Sequence, residues 1–77
     1  MSVKADVELD CKGLSCPMPV LKTKKKLDEM QSGQVLKMIS TDAGSKADVS
    51  ALVRRTGHEL LEIEEKGNEF IFYIKKK

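Results

Sequence analysis

Two prolines, Pro17 and Pro19, are the only ones in the chain, and they bracket a single residue near its start. Proline fixes its own φ and has no backbone N–H, so a helix accepts it only in the first turn. Val20, Thr23, Leu27 and Met30 follow at helical spacing, with Lys22, Lys25, Lys26 and Glu29 on the other side. A helix is therefore expected to start at the prolines and to stop at Gly33. Extended chain flanks it. Val3, Ala5, Val7 and Leu9 alternate with polar residues as a half-buried strand does, and Val35, Leu36, Met38 and Ile39 form a second strand-like run.

Thr41-Asp42-Ala43-Gly44 breaks that run. Ser45 with Asp48 three positions on fits a capping box for a second helix carried by Val49, Leu52, Val53 and Thr56, with Gly57 as its left-handed cap. Leu61 to Glu64 alternates, Lys66-Gly67-Asn68 turns, and Phe70, Phe72 and Ile74 alternate with Ile71 and Tyr73, which makes a hairpin. The order is β-α-β-α-β-β. With 77 residues there is room for one domain, spanning 1–77. Right-handed crossovers that advance in one direction put both helices on the same face of the sheet. The predicted fold class is thus an α/β two-layer sandwich, a four-stranded mixed sheet with two helices on one face and the other face mostly open. Chemistry in such sheets gathers beyond the carboxyl ends of the strands, where Cys16 and the Thr41-to-Ser45 loop both fall.

Fourteen Lys and Arg against twelve Asp and Glu leave +2, too even a balance to announce a nucleic-acid binder. The polar, charged start is unlike a secretory signal, and the apolar runs are far too short to span a membrane. A cytoplasmic protein whose two cysteines stay as thiols is the expectation.

Cys16-Pro17-Met18-Pro19 is the most informative segment. Only the thiolate of a cysteine is nucleophilic, and the positive end of a helix dipole favours the anion. Lowering the pKa by about two units would raise the thiolate fraction at pH 7.5 from roughly one tenth to roughly nine tenths. The prolines remove N–H groups that might have faced the sulfur, so their service is rigidity: a stiff turn that holds the thiol outward. A cysteine packed in a core has no need of that arrangement.

Asp10-Cys11-Lys12-Gly13-Leu14-Ser15-Cys16-Pro17-Met18-Pro19 resembles the D-x-x-G-L-x-C-P-x-P signature of the TusA-like (SirA/YedF-type) sulfur-carrier family. The likeness continues through Thr41-Asp42-x-Gly44-Ser45 and Gly57-His58-Glu59-Leu60. The resemblance implies the same two-layer fold and a sulfur carrier or sulfurtransferase component, in which Cys16 accepts sulfane sulfur as a persulfide and relays it. Asp10, Gly13, Leu14, Pro17 and Pro19 would be the supporting motif residues. It also implies a donor protein of cysteine desulfurase or rhodanese type, an acceptor such as a DsrE-type relay protein, and no metal or organic cofactor. Met18 departs from the acidic residue that members serving tRNA thiolation often carry, Ala43 from the proline of many members and Val53 from the further cysteine of some, which leaves the pathway open: tRNA thiolation, molybdenum-cofactor sulfuration or sulfur oxidation.

Cys11, five positions before Cys16, is a second thiol that could act with it, although its place reads more simply as a strand end. The C-x-x-x-x-C spacing is not the C-x-x-C of thioredoxin-like enzymes. Two cysteines and the single His58 fall short of a zinc set, and His58 after Gly57 is expected to serve the end of the second helix. Lys22, Lys25 and Lys26 are candidates for docking a partner. Three aromatics, all in the last strand, offer no base-stacking platform. Two other readings stand beside the carrier: a non-catalytic RNA- or protein-binding regulatory module, and a Cys11/Cys16 thiol–disulfide oxidoreductase.

Overall fold

The structure, a computed structural model, describes residues 4–15 and 18–77. Its elements run β1 (Val7–Cys11), α1 (Met18–Glu29), β2 (Val35–Ser40), α2 (Ser45–Thr56), β3 (Glu59–Lys66) and β4 (Glu69–Lys75). That is the predicted order. The strands form one sheet in the order β1-β2-β4-β3. β1 and β2 are parallel, and β4 runs antiparallel to both its neighbours, so the sheet is mixed.

The two-residue side-chain period of each strand sorts the faces. Leu36, Met38 and Ser40 of β2 point to the helices, opposite Ile74, Phe72 and Phe70 of β4 and beside Val7, Leu9 and Cys11 of β1. Leu27 of α1 and Val49 and Val53 of α2 close over them. Phe72, Ile74, Leu36, Met38 and Val49 are completely sealed from solvent. Each such side chain contributes roughly 1.5–3 kcal/mol by leaving water.

Several boundaries differ from the sequence reading. Val3 lies outside the described residues, and β1 begins only at Val7 but runs on through Cys11. The buried stripe of α1 is Pro19, Thr23 and Leu27, continued by Met30, while Val20 is only half-buried. Pro19 can sit inside because it occupies the first turn, where its missing N–H has no intrahelical acceptor to lose. The Thr23 hydroxyl donates to the Pro19 carbonyl at 2.6 Å, which satisfies a buried polar group without solvent.

α1 ends at Glu29, short of Gly33. Gly33 instead takes φ +88° in the turn closed by the Gln34 N–H on the Gln31 carbonyl, a conformation that suits glycine. The capping box on α2 is also corrected. Its N-cap is Gly44, which has no side chain to cap with, and Ser45 is the first helical residue, its hydroxyl turned inward to share a 2.6 Å hydrogen bond with Ser40. Asp48 still places an acid in the first turn of α2, where the dipole favours it. Gly57 caps α2 as expected, at φ +85°, its N–H donating to the Val53 carbonyl.

The face away from the helices is less bare than an open sheet face would be. Ile71 and Tyr73 are 5% and 7% exposed there, flanked in register by Lys37, Glu62, Glu64 and Ile39. The Tyr73 hydroxyl is held above its ordinary pKa by burial and then by its hydrogen bond with Glu64.

Candidate functional site

The carboxyl end of β1 leads directly into the segment before α1. Cys11 is the last residue of β1, opposite Ser40, and is entirely buried in the core as a free thiol. Burial pushes its pKa up; Lys22 acts against this more weakly, and Asp10 adds a smaller upward push. A thiol held protonated is a poor nucleophile. Its position on the helix-facing side of the sheet follows from strand alternation with Val7 and Leu9.

From Cys11 the chain reverses in a turn tied at several points. The Asp10 carboxylate accepts the Lys12 N–H at 2.9 Å, and the Leu14 N–H donates to the Cys11 carbonyl at 3.2 Å. Gly13 adopts φ +81°, which only glycine takes without strain, and its N–H donates to the Thr41 hydroxyl oxygen at 2.9 Å. Leu14 packs against the core. The Met18 N–H donates to the Ser15 carbonyl at 2.9 Å, so the residues flanking Cys16 and Pro17 are joined to each other. Cys16 and Pro17 themselves, on which the sequence reading centres, lie outside the described residues. Of the predicted supporting residues, Asp10, Gly13, Leu14 and Pro19 converge on this turn and the helix start.

Three features here were not read from the sequence. Thr41 reaches across 28 positions to hold Gly13; only the placement of its loop at the same sheet edge hinted at it. The buried Ser40–Ser45 pair lies under that loop, and the Ser40 hydroxyl oxygen also accepts the Asp42 N–H at 3.2 Å. Met18 and Leu21, one helical turn apart, are 41% and 54% exposed at the start of α1, an apolar surface next to Cys16 in sequence. The first turn of α1 contains no acidic residue, so nothing there offsets the positive end of its dipole.

Lys22, Lys25 and Lys26 come together. With Leu9 and Glu29 they line a groove of about 210 Å³ where α1 overhangs β1. Lys26 pairs with Glu29 at 3.8 Å and Lys24 with Asp28 at 3.2 Å, while Lys22 and Lys25 make no ion pair among the described residues.

His58 does not serve α2. Its Nδ1 accepts the Lys77 N–H at 3.0 Å and so fastens the chain end beside β3. Burial, then the Lys76 charge, lower its pKa. The folded chain therefore resists protonating His58 while the unfolded chain accepts the proton near pH 6.5. The unfolded state then binds more protons, and stability falls as pH drops below that point. The thermal midpoint is expected to decline more between pH 7 and pH 5 in the parent than in His58→Gln, whose side chain offers an acceptor and does not titrate. Parallel curves would show that His58 contributes nothing to this dependence.

Among the described residues no group of three or more His, Cys, Asp or Glu is placed to hold a metal, and no helix is long and apolar enough to cross a membrane.

Comparison with known proteins agrees with the fold. Residues 7–76 match the family model described as sulfurtransferase TusA. The chain is 54% identical over 71 residues to the sulfur carrier protein TusA of Allochromatium vinosum, covering 92% of this chain and 93% of that one. It is 39% identical to the sulfur carrier protein TusA of Pseudomonas entomophila, covering 94% and 90%. The crystal structure of a SirA-like protein from Desulfitobacterium hafniense superimposes with a TM-score of 0.76 at 27% identity, covering 90% and 93%. A β-α-β-α-β-β sandwich, a glycine turn held at the end of β1 and a family match from the first strand to the last together place this chain in the TusA family of sulfur carriers.

Proposed function

We propose that residues 1–77 act as one carrier domain that takes a sulfane sulfur onto Cys16 as a persulfide and hands it to a cysteine of an acceptor protein. The observation that carries this reading is the burial of the second thiol, Cys11, which leaves Cys16 as the candidate acceptor. Cys11 is sealed in the core with a raised pKa, while Cys16 occupies the sequence between a turn fastened to Thr41, just past β2, and a helix start free of acids.

In the loading step the Cys16 thiolate attacks the outer sulfur of a donor persulfide. A new S–S bond forms on Cys16, the donor S–S bond breaks, and the donor cysteine leaves as thiolate. Unloading repeats the exchange, with the acceptor thiolate attacking and Cys16 leaving. One zero-valent sulfur moves in each step, so neither needs an external oxidant or reductant. No metal or organic cofactor enters the scheme.

The donor is of cysteine desulfurase or rhodanese type and the acceptor of DsrE-type or another sulfur-pathway class. Both meet the chain through Met18 and Leu21 and the lysines of α1. Cytoplasmic residence suits a carrier whose thiol must stay reduced between cycles. Direct nucleic-acid binding has no support from exposed aromatics, since Phe70 and Phe72 pack with the core and Tyr73 is buried on the other face.

Intact mass after incubation with a persulfide donor tests the reading. A gain of about 32 Da that dithiothreitol removes is expected. A loss of about 2 Da would signal an intramolecular disulfide and the oxidoreductase, and no change a binding module.

A further inference from the structure

We propose that the free edge of β1 receives an extended segment of a partner protein in which acidic and basic residues alternate. β1 stands at the end of the sheet and pairs with β2 on one side only, and no other described strand lies beside it. The backbone groups of Val7 and Leu9, which alternate away from β2, therefore face outward as a template for another strand, while Cys11 is wholly buried and its carbonyl already accepts the Leu14 N–H. α1 packs against β1 on the helix-facing side of this edge. The helix overhangs it and leaves the groove floored by Leu9 and walled by Lys22, Lys25, Lys26 and Glu29.

The two sides of this edge differ in charge, and that difference selects the occupant. On the helix side an added strand would meet three lysines and Glu29; Glu29 pairs with Lys26, which leaves Lys22 and Lys25 with no ion-pair partner among the described residues. On the opposite side it would meet Glu8 and Asp10, both exposed on β1. Side chains of an added strand alternate between these sides. Opposite charges across neighbouring strands stabilise and like charges repel. A segment with acids at every second position and Lys or Arg between them satisfies both sides at once. Single-stranded RNA does not, because its phosphates would run beside Glu8 and Asp10 as well as beside the lysines, and the groove has no aromatic wall.

This surface gives the carrier reading a docking mode but needs no sulfur chemistry, so the two can fail separately. The probes are two cysteine-free peptides as long as β1, identical in composition, one with Glu and Lys alternating and one with them in blocks. Their binding is read by fluorescence anisotropy at low salt, with an oligouridylate as a third probe. The alternating peptide is expected to bind about tenfold tighter than the block peptide, from several favourable cross-strand pairs. It should slow hydrogen exchange of the amides within Val7–Cys11. N-methylation of its alternate amides, which leaves charge unchanged, should abolish binding on one phase of alternation only. Lys22→Glu with Lys25→Glu, both exposed positions, should cost about tenfold, and Glu8→Lys should weaken the alternating peptide too. Equal affinity for the two peptides, protection elsewhere on the chain, or preferred binding of the oligouridylate would overturn the proposal. Persulfide loading of Cys16 would be untouched by any of those results.

Discussion

Cys16→Ser is expected to take up no sulfur at all, while Cys11→Ala loads as fully as the parent chain. A serine hydroxyl preserves the shape of the thiol but forms no persulfide, so loss at the acceptor is complete and not graded. Cys11 has the opposite environment. It lies wholly inside the core, and burial holds its thiol protonated. A donor persulfide could reach it only by opening the sheet beneath α1. Alanine is the right comparison there, since serine would bury a hydroxyl in place of a sulfur at a cost of about 1–3 kcal/mol if it found no partner. The readout is intact mass with donor in excess, checked by circular dichroism for folding. A folded Cys11→Ala chain that failed to load would replace the single-carrier scheme with a paired-cysteine one. Normal loading of Cys16→Ser would remove the carrier scheme altogether.

The order of elements was legible because each run of apolar residues has the period of its own element. Val49, Leu52 and Val53 cannot line one face of a strand, and Phe70, Phe72 and Ile74 cannot line one face of a helix. Boundaries were less so. The alternation reaches back through Ala5, yet β1 begins only at Val7; Cys11 reads as the strand end, and there it has the small apolar side chain that the last core-facing position needs.

The candidate site was legible in its residue types and not in its fastenings. Ser45 looked like a cap because a serine before a helix usually bonds forward, and here a buried serine five positions back captures its hydroxyl instead. The bonds from Thr41 to Gly13 and from His58 to Lys77 join residues far apart in sequence, and no local pattern encodes them. Met18 and Leu21 escaped notice because an apolar residue off the helical stripe is unremarkable until its exposure is known.

Phe72→Ala should produce the largest loss of stability of any single truncation. Phe72 lies on β4 between β2 and β3, opposite Met38 and Ile63, and is completely sealed beneath the helices. Removing a ring from such a site costs about 3–5 kcal/mol, the transfer energy of the lost atoms plus the cavity left behind. A chain of this length holds only about 4–11 kcal/mol in all, at roughly 0.05–0.15 kcal/mol per residue. At roughly 4–8 °C per kcal/mol for a domain of this size, the thermal midpoint should fall by at least about 12 °C. Leu61→Ala is the control, because Leu61 is 37% exposed at the irregularity between Leu60 and Glu62 and should shift stability by no more than about 0.5 kcal/mol. Scanning calorimetry of both chains measures the contrast, and a Phe72→Ala midpoint within a few degrees of the parent would mean that the helices do not rest on the middle of the sheet. Sulfur loading in this variant should track the folded fraction as temperature rises, since the turn before Cys16 is held by Thr41 at the end of β2 and loses that hold when the sheet melts.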